Sequence, residues 1–273
     1  MKIPCSVPIL TLNCCEKLQK TLPTLAELFD DVFLVDGNST DGTQEYARSL
    51  GVRVEKQFDT DEPNQRITDF PKVRMASWDK SRCDWLLVLD ADEVLTPACV
   101  DVIRACVAED NRDEVHWVRR YPVLPDGLVV KNSPFYAAHY FRLFARSRGI
   151  RIADRLVHEK FLAPEGMRHV YHDAAILCPE PSPKVLAERS KRYAILEGKA
   201  LQISTWYQLI RWIFWYNIKS FFGQLARVLK SDLWGRWRGE PVLPWSYNAV
   251  FLAYRVWSLE EGVRAWLLLR KQI

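Results

Sequence analysis

Five consecutive apolar residues, Trp85-Leu86-Leu87-Val88-Leu89, stop at Asp90-Ala91-Asp92-Glu93. The run is too short for a typical helix and is bounded by polar residues, which predicts a buried central strand. Open α/β sheets hold their ligands at the carboxyl ends of such strands, and three carboxylates fall there. Crowded acidic side chains repel one another unless a cation or a set of donors balances them. Hard dications such as Mg2+ prefer oxygen ligands, often one or two carboxylates plus substrate phosphates. The cluster reads either as a metal–diphosphate site or as a solvated acidic turn that caps the next helix.

The flanking sequence predicts the rest of a sheet. Cys5 to Leu12 reads as a first strand, with Pro8 a weak point inside it. Asn13 to Phe29 has helical spacing through Leu18, Leu22, Leu25 and Leu28. Val32 to Val35 is a second buried strand, ending in Asp36-Gly37-Asn38-Ser39. Thr40-Asp41-Gly42 opens a helix to Leu50, and Val52 to Glu55 is a third strand. Gln57 to Phe70 is polar and predicts a loop; Pro71 to Lys80 predicts a helix before the fourth strand. Thr96-Pro97 starts another helix. This alternation predicts an α/β fold, a mostly parallel sheet with helices on both faces. His116 to Val118, Leu128 to Val130 and Tyr140 to Phe144 predict a mixed or antiparallel extension. Pro179, Pro181 and Pro183 mark a boundary between residues 1–180 and a helical, basic, aromatic-rich extension, 181–273.

Charge divides at the same place. Lys184 to Ile273 carries 15 Lys+Arg against 6 Asp+Glu, a net +9, and the first 183 residues carry −5. The acidic part suits a cation-dependent site, and the basic part suits an anionic surface. Seven cysteines form no CxxC pair and no Cys/His metal spacing. An odd count without a signal-peptide apolar region argues for reduced thiols and a cytosolic setting. No uncharged apolar stretch reaches the roughly 20 residues of a spanning helix.

Three strand ends are predicted to open on one edge: Thr11-Leu12-Asn13, Asp36-Gly37-Asn38-Ser39 and Asp90-Ala91-Asp92. Small polar donors, one isolated carboxylate and a carboxylate pair suit a nucleotide diphosphate bound with a metal. Glycine-rich phosphate loops are absent, with neither GxGxxG nor GxxxxGK[ST] present. Phosphate would then rely on the metal and on Lys or Arg. Lys72 and Arg74 are candidates, and a solvated helix face is the alternative for each.

Three segments together resemble family 2 glycosyltransferases of the GT-A fold, which is Rossmann-like. They are Val7-Pro8-Ile9-Leu10-Thr11-Leu12-Asn13, Phe33-Leu34-Val35-Asp36-Gly37-Asn38-Ser39-Thr40-Asp41-Gly42-Thr43, and the Trp85 to Glu93 segment with its DxD motif. The pattern continues through Arg142-Leu143-Phe144, Val157-His158-Glu159 and Lys191-Arg192-Tyr193, and is similar to bacterial lipopolysaccharide-core β-1,4-glucosyltransferases. The resemblance covers about residues 5 to 195. It implies that Thr11 and Asn13 line the nucleotide pocket and that Asp36 accepts a hydrogen bond from the uracil or the base-proximal part of the nucleotide. It further implies that Asp90 approaches the ribose or metal, and that Asp92 binds a Mg2+ or Mn2+ ion. A helix-capping carboxylate is the alternative for Asp36. Glu159 is the implied catalytic base, since a sugar hydroxyl needs a positioned carboxylate to take its proton; a surface-strand pair is the alternative for His158-Glu159. One departure stands out. Relatives often carry a His where Cys178 follows His169 and His172, and a thiol is a poor ligand for a hard cation.

In the basic extension, Ile210, Phe214, Ile218, Phe221, Leu225 and Val228 fall on one predicted helical face, opposite Lys219, Arg227 and Lys230. Trp206, Trp212, Trp215, Trp234, Trp237, Trp245, Trp257 and Trp266 crowd the same region. Basic residues with Trp and Phe on an amphipathic helix describe a membrane-interface segment; packing against the catalytic domain or a second copy is the alternative. The expected activity is therefore inverting, metal-dependent transfer of a sugar. The donor would be a nucleotide sugar, UDP-linked, and the acceptor a lipopolysaccharide-core or other lipid-linked saccharide. The expected place is the cytoplasmic face of a bacterial inner membrane. A nucleotidyl- or phosphotransferase with the same acidic site, and a non-catalytic scaffold on a degenerate fold, are the alternatives. No nucleic-acid partner is expected, because the acidic half would repel it and no recognition module is recognisable.

Overall fold

The computed structural model describes residues 1–134, 139–153, 160–201, 203 and 205–270. The chain forms two compact units, Met1–Arg120 with Ala138–Cys178, and Tyr121–Ala137 with Pro179–Ile273.

The first unit runs β1 (Ile3–Thr11), α1 (Cys15–Leu28), β2 (Phe29–Asp36), α2 (Thr43–Ser49), β3 (Arg53–Lys56), α3 (Phe70–Asp79) and β4 (Trp85–Leu87). It continues with β5 (Val94–Leu95), α4 (Pro97–Glu109), β6 (Glu114–Val123), β7 (His139–Ala145), β8 (Arg151–Ile152), β9 (Phe161–Leu162) and β10 (Arg168–Pro179). Eight of the strands form one sheet in the order β3-β2-β1-β4-β7-β6-β10-β5, and β8 pairs with β9. The first four are parallel. Beyond them β7, β6 and β5 join antiparallel to their neighbours, which is the expected extension. The α/β class and the helices on both faces are as the alternation of elements predicts.

Strand alternation divides the apolar run between the two faces. Trp85, Leu87 and Leu89 enter a core with Leu18, Leu22 and Leu25 of α1 and Ile103 of α4. Leu86 and Val88 face the other way, toward Trp78 of α3 and Phe144. A five-residue run that is apolar at every position is what a strand covered on both sides requires. Pro8 is tolerated in a central strand because the described β1–β4 ladder covers only Cys5 and Ser6. Thr96 caps α4 by accepting from the Cys99 backbone N–H, with Pro97 at its first position.

The second unit contains α5 (Pro183–Ala200), α6 (Trp206–Arg211), a π-helical segment (Trp212–Ile218), α7 (Lys219–Arg238) and α8 (Trp245–Arg270). Two features interrupt the helical extension expected after residue 181. The helix stops after Ala200 and restarts at a capping box, in which Thr205 and Gln208 satisfy each other's backbone N–H groups. The π-helical segment then breaks the 3.6-residue phase, each residue of offset rotating the downstream helix by roughly 100°. The predicted apolar stripe is accordingly divided. Ile210, Phe214 and Ile218 are exposed, Phe221 and Leu225 are half-buried, and Val228 is buried. The segment Leu128 to Val130 gives only a bridge from Val129 to Val123, and lies in this unit. Its Val130 packs with Leu124, Leu186, Leu243 and Tyr247. Among the described residues no helix is long and apolar enough to cross a membrane.

Candidate active site

The parallel order β2-β1-β4 brings the three predicted strand ends to one edge. Asp36 and Asp90 lie two strands apart, about 10 Å at normal strand spacing.

At the β2 end, Asp36 is buried and its carboxylate is full. Thr11 Oγ1 (2.7 Å) and Ser39 Oγ (2.6 Å) donate to Oδ2; the Ser39 N–H (2.7 Å) and Gln44 Nε2 (2.7 Å) donate to Oδ1. A carboxylate offers about four acceptor positions. A nucleotide base can reach Asp36 only by displacing a donor, and Gln44, on a long side chain, is the most mobile of the four. The structure therefore joins Thr11 to Asp36 and gives Asp36 a bracing role in the turn; it does not cap α2, whose N-cap is Gly42 with no side-chain acceptor.

Asn13 stands in the left-handed region at φ 49°. Its side chain ties the β1 end to two loops, accepting from the Thr40 N–H (2.9 Å) and donating to Asn64 Oδ1 (2.7 Å). The polar stretch after Gln57 is the predicted loop, and it is strapped to the β2 end. Asn38 Nδ2 donates to the Thr60 and Glu62 carbonyls, and the Gln65 N–H donates to the Gly37 carbonyl at 2.7 Å. A Cβ at Gly37 would stand 2.3 Å from the Gln65 carbonyl oxygen, so only glycine fits.

At the β4 end the three carboxylates separate into two functions. Asp90 is half-exposed and pairs with the buried Arg74 at 3.1 Å. Burial pushes its pKa up, but Arg74, Arg142 and Arg120 outweigh that and hold it below the usual carboxylate range. Asp92, with 31% of its side chain exposed, meets Lys17 of α1 at 2.6 Å. Glu93 instead points inward. It is 1% exposed, and its Oε1 receives Arg142 (2.6 Å), Arg120 (3.2 Å) and the Cys178 thiol (3.3 Å). Its Oε2 accepts the Asp90 N–H at 3.0 Å. Arg142 also donates to the Val88 carbonyl, and Thr21 to the Ala91 carbonyl (2.9 Å), so strand β7 and helix α1 both brace the turn.

Of the two cationic candidates, Arg74 reaches the acidic edge, whereas the side chain of Lys72 is exposed and its N–H is capped by Asp69. Cys178 is buried against Glu93, where burial first and then the Glu93 charge push its thiol pKa up; it faces no ligand edge. Glu159 lies outside the described residues. Sequence reading missed Lys17, Glu93 as a brace, and Arg142. An arginine inside the apolar run Tyr140-Phe141-Arg142-Leu143-Phe144 was the available signal, because a buried guanidinium demands an anion.

The donor set fits a hard dication. Asp92 offers carboxylate oxygens at a partly open position, and its present counter-ion is an ammonium on a flexible stem, itself 58% exposed. The mixed, mostly parallel sheet with helices on both faces is a GT-A-like fold. Residues 6–162, more than half of the chain, match the glycosyl transferase family 2 model, and the chain belongs to that family: it is a glycosyltransferase. An uncharacterized glycosyltransferase from Rickettsia felis is 25% identical over 236 residues, 78% of this chain and 77% of that protein. The mannosyltransferase PcManGT from Pyrobaculum calidifontis, solved with GDP-Man and Mn2+, is 13% identical with a TM-score of 0.48 over 98% of this chain and 87% of that one. TarS residues 1–349 from S. aureus, solved with UDP-GlcNAc, is 14% identical with a TM-score of 0.46 over 100% and 92%.

Proposed function

We propose that this glycosyltransferase is inverting and metal-dependent. In our reading it moves a sugar from a UDP-linked donor to a lipopolysaccharide-core or other lipid-linked saccharide, at the cytoplasmic face of a bacterial inner membrane. The observation that carries this reading is the arrangement at the β4 end. Asp90 and Asp92 are held apart from the buried Glu93, beside Arg74, on the edge shared with Thr11, Asn13 and Asp36.

Asp92, with Asp90, would hold Mg2+ or Mn2+. The bound ion supplies charge neutralisation for the departing diphosphate. Arg74 adds a fixed positive charge to the same edge, and Thr11, Asn13 and the Asp36 turn shape the nucleoside side of the cleft. Glu159 takes the proton from the acceptor hydroxyl as it attacks the anomeric carbon. One base and a stabilised leaving group suffice for inversion, with no covalent enzyme intermediate. The test is a panel of nucleotide sugars read by thermal shift and by nucleotide release. One sugar nucleotide is expected to raise the melting temperature only with Mn2+ or Mg2+ present, by mass action on the folded state, and to yield UDP with free sugar. Pyrophosphate release, or a shift indifferent to the cation, overturns the reading.

The membrane part rests on the second unit. Trp206, Tyr207, Phe214, Trp215, Trp234 and Trp237 are between 47% and 76% exposed. They are interleaved with exposed Lys219, Arg227 and Lys230, and Lys219 and Arg238 sit over the Trp215 and Trp234 rings. Exposed tryptophan interleaved with cations suits an interfacial segment drawn to anionic lipid, at about 1 kcal/mol per well-placed cation. Sedimentation with vesicles containing phosphatidylglycerol checks this. Binding is expected to weaken in ~1 M salt, where the screening length is about 3 Å, and to fall at least tenfold in Phe214→Ser/Trp215→Ser. No binding to anionic vesicles in low salt sinks it.

A further inference from the structure

Three side chains that no sequence motif connects meet at the end of the first unit's sheet. Cys106 comes from the last turn of α4, His116 from the start of β6, and His172 from β10. Cys106 Sγ lies 3.8 Å from His172 Nε2, and His116 Nδ1 lies 3.2 Å from the same nitrogen. All three ligand atoms fall within 4.8 Å of one another. Tetrahedral zinc, at normal Zn–N and Zn–S lengths, puts two nitrogens about 3.3 Å apart and sulfur about 3.6 Å from nitrogen. The two separations from His172 differ from these by only tenths of an ångström, and the third, Cys106 to His116, falls within the 4.8 Å bound.

The surroundings agree. Cys106 and His116 are buried, and His172 is half-buried, so the cluster is accessible from the His172 side. The second ring nitrogen of His116, Nε2, is buried without a hydrogen-bond partner and lies 4.0 Å from Glu114 Oε2. Glu114 is itself buried, with its other oxygen bound by Asn111 and Arg168. A metal on Nδ1 would fix the His116 proton on Nε2, where Glu114 at 4.0 Å offers a nearby negative charge but not a hydrogen bond.

We infer that Cys106, His116 and His172 form a binding site for a thiophilic divalent metal, zinc by the chemistry of the donors. One thiolate and two imidazoles select zinc over the hard ions Mg2+ and Mn2+, so this site is separate in kind from the Asp90 and Asp92 edge. Binding converts the Cys106 thiol to a thiolate bonded to the metal and releases its proton to solvent. The bound ion would tie α4 and β6, which are consecutive in the chain, to the remote strand β10.

Cobalt titration of the chelator-treated chain tests this, because Co2+ on a thiolate gives a sulfur-to-cobalt charge-transfer band that carboxylate sites cannot give. One equivalent of Co2+ is expected to develop the band, and Zn2+ to bleach it. Cys106→Ser should abolish the band and His172→Gln should weaken cobalt affinity at least tenfold. Glu114→Gln keeps all three ligands and removes only a charge 4.0 Å from His116 Nε2, so it should weaken affinity by no more than a few-fold. Asp92→Asn should leave the band unchanged. Far-UV circular dichroism checks that each variant is folded; should Cys106→Ser not fold, His172→Gln decides. No band at saturating Co2+, or a band of undiminished affinity in His172→Gln, overturns the assignment.

Discussion

Asp92→Asn is expected to lower sugar transfer by roughly 10²–10³-fold, the range for removing one preorganised charge partner at a developing oxyanion, while leaving the fold intact. The two halves of this outcome have separate causes. Asp92 is partly exposed and its partner in the structure, Lys17, is more exposed still. Such surface pairs contribute about 0–1 kcal/mol, so unfolding in urea should barely move. The activity loss comes from the missing oxygen ligand. Lys17→Met is the companion variant. If the ammonium merely occupies the place of a dication, this variant keeps transfer within a few-fold and shifts half-maximal activation to lower Mn2+ concentration. Nucleoside diphosphate release measured against Mn2+ concentration reads both variants. Wild-type turnover in Asp92→Asn would remove the acidic edge from the chemistry.

Arg142→Met should destabilise the protein by about 3–5 kcal/mol, the cost of breaking a buried pair by removing one partner. Glu93 is nearly inaccessible, and Arg120, at 3.2 Å and itself partly exposed, cannot replace the 2.6 Å contact to Arg142. The same variant loses the bond to the Val88 carbonyl. The double variant Glu93→Leu/Arg142→Met should recover most of that stability, since an apolar pair often replaces a buried ion pair at little cost. It should not recover activity. The Asp90 N–H loses its acceptor, and the turn that aims Asp90 and Asp92 loosens. Urea unfolding beside transfer rates separates the effects. Full activity in the stable double variant would mean that Glu93 and Arg142 serve folding alone.

How much of the molecule is legible in its sequence differs from element to element. The β4 run, the strand ends and the loop after Gln57 were legible because each is a local pattern: unbroken apolar residues, short polar turns, and a polar stretch between punctuating residues. The meeting of Thr11 with Asp36 followed from parallel strand order alone. Glu93 was read with its neighbours as one more carboxylate on the edge. Its true partners lie 27 and 49 residues on, at Arg120 and Arg142, beyond any local rule. Lys17 carries no local signal that separates it from any other charge on a helix. Cys106, His116 and His172 have no metal-motif spacing, so only the folded sheet brings them together. The apolar stripe after Ile210 assumes a period of 3.6, which the π-helical segment does not obey.

Strand β10 serves two distant places in the first unit. His172, Ala174, Ile176 and Cys178 alternate onto one side of it, so Cys178 abuts the Glu93 brace while His172, about 20 Å away along the same strand, reaches Cys106. A slip of one residue would turn all four side chains over at once. The thiol beneath the acidic turn and the imidazole of the distant cluster are thus inherited as one setting, and no drift in pairing could discard either while keeping its companion.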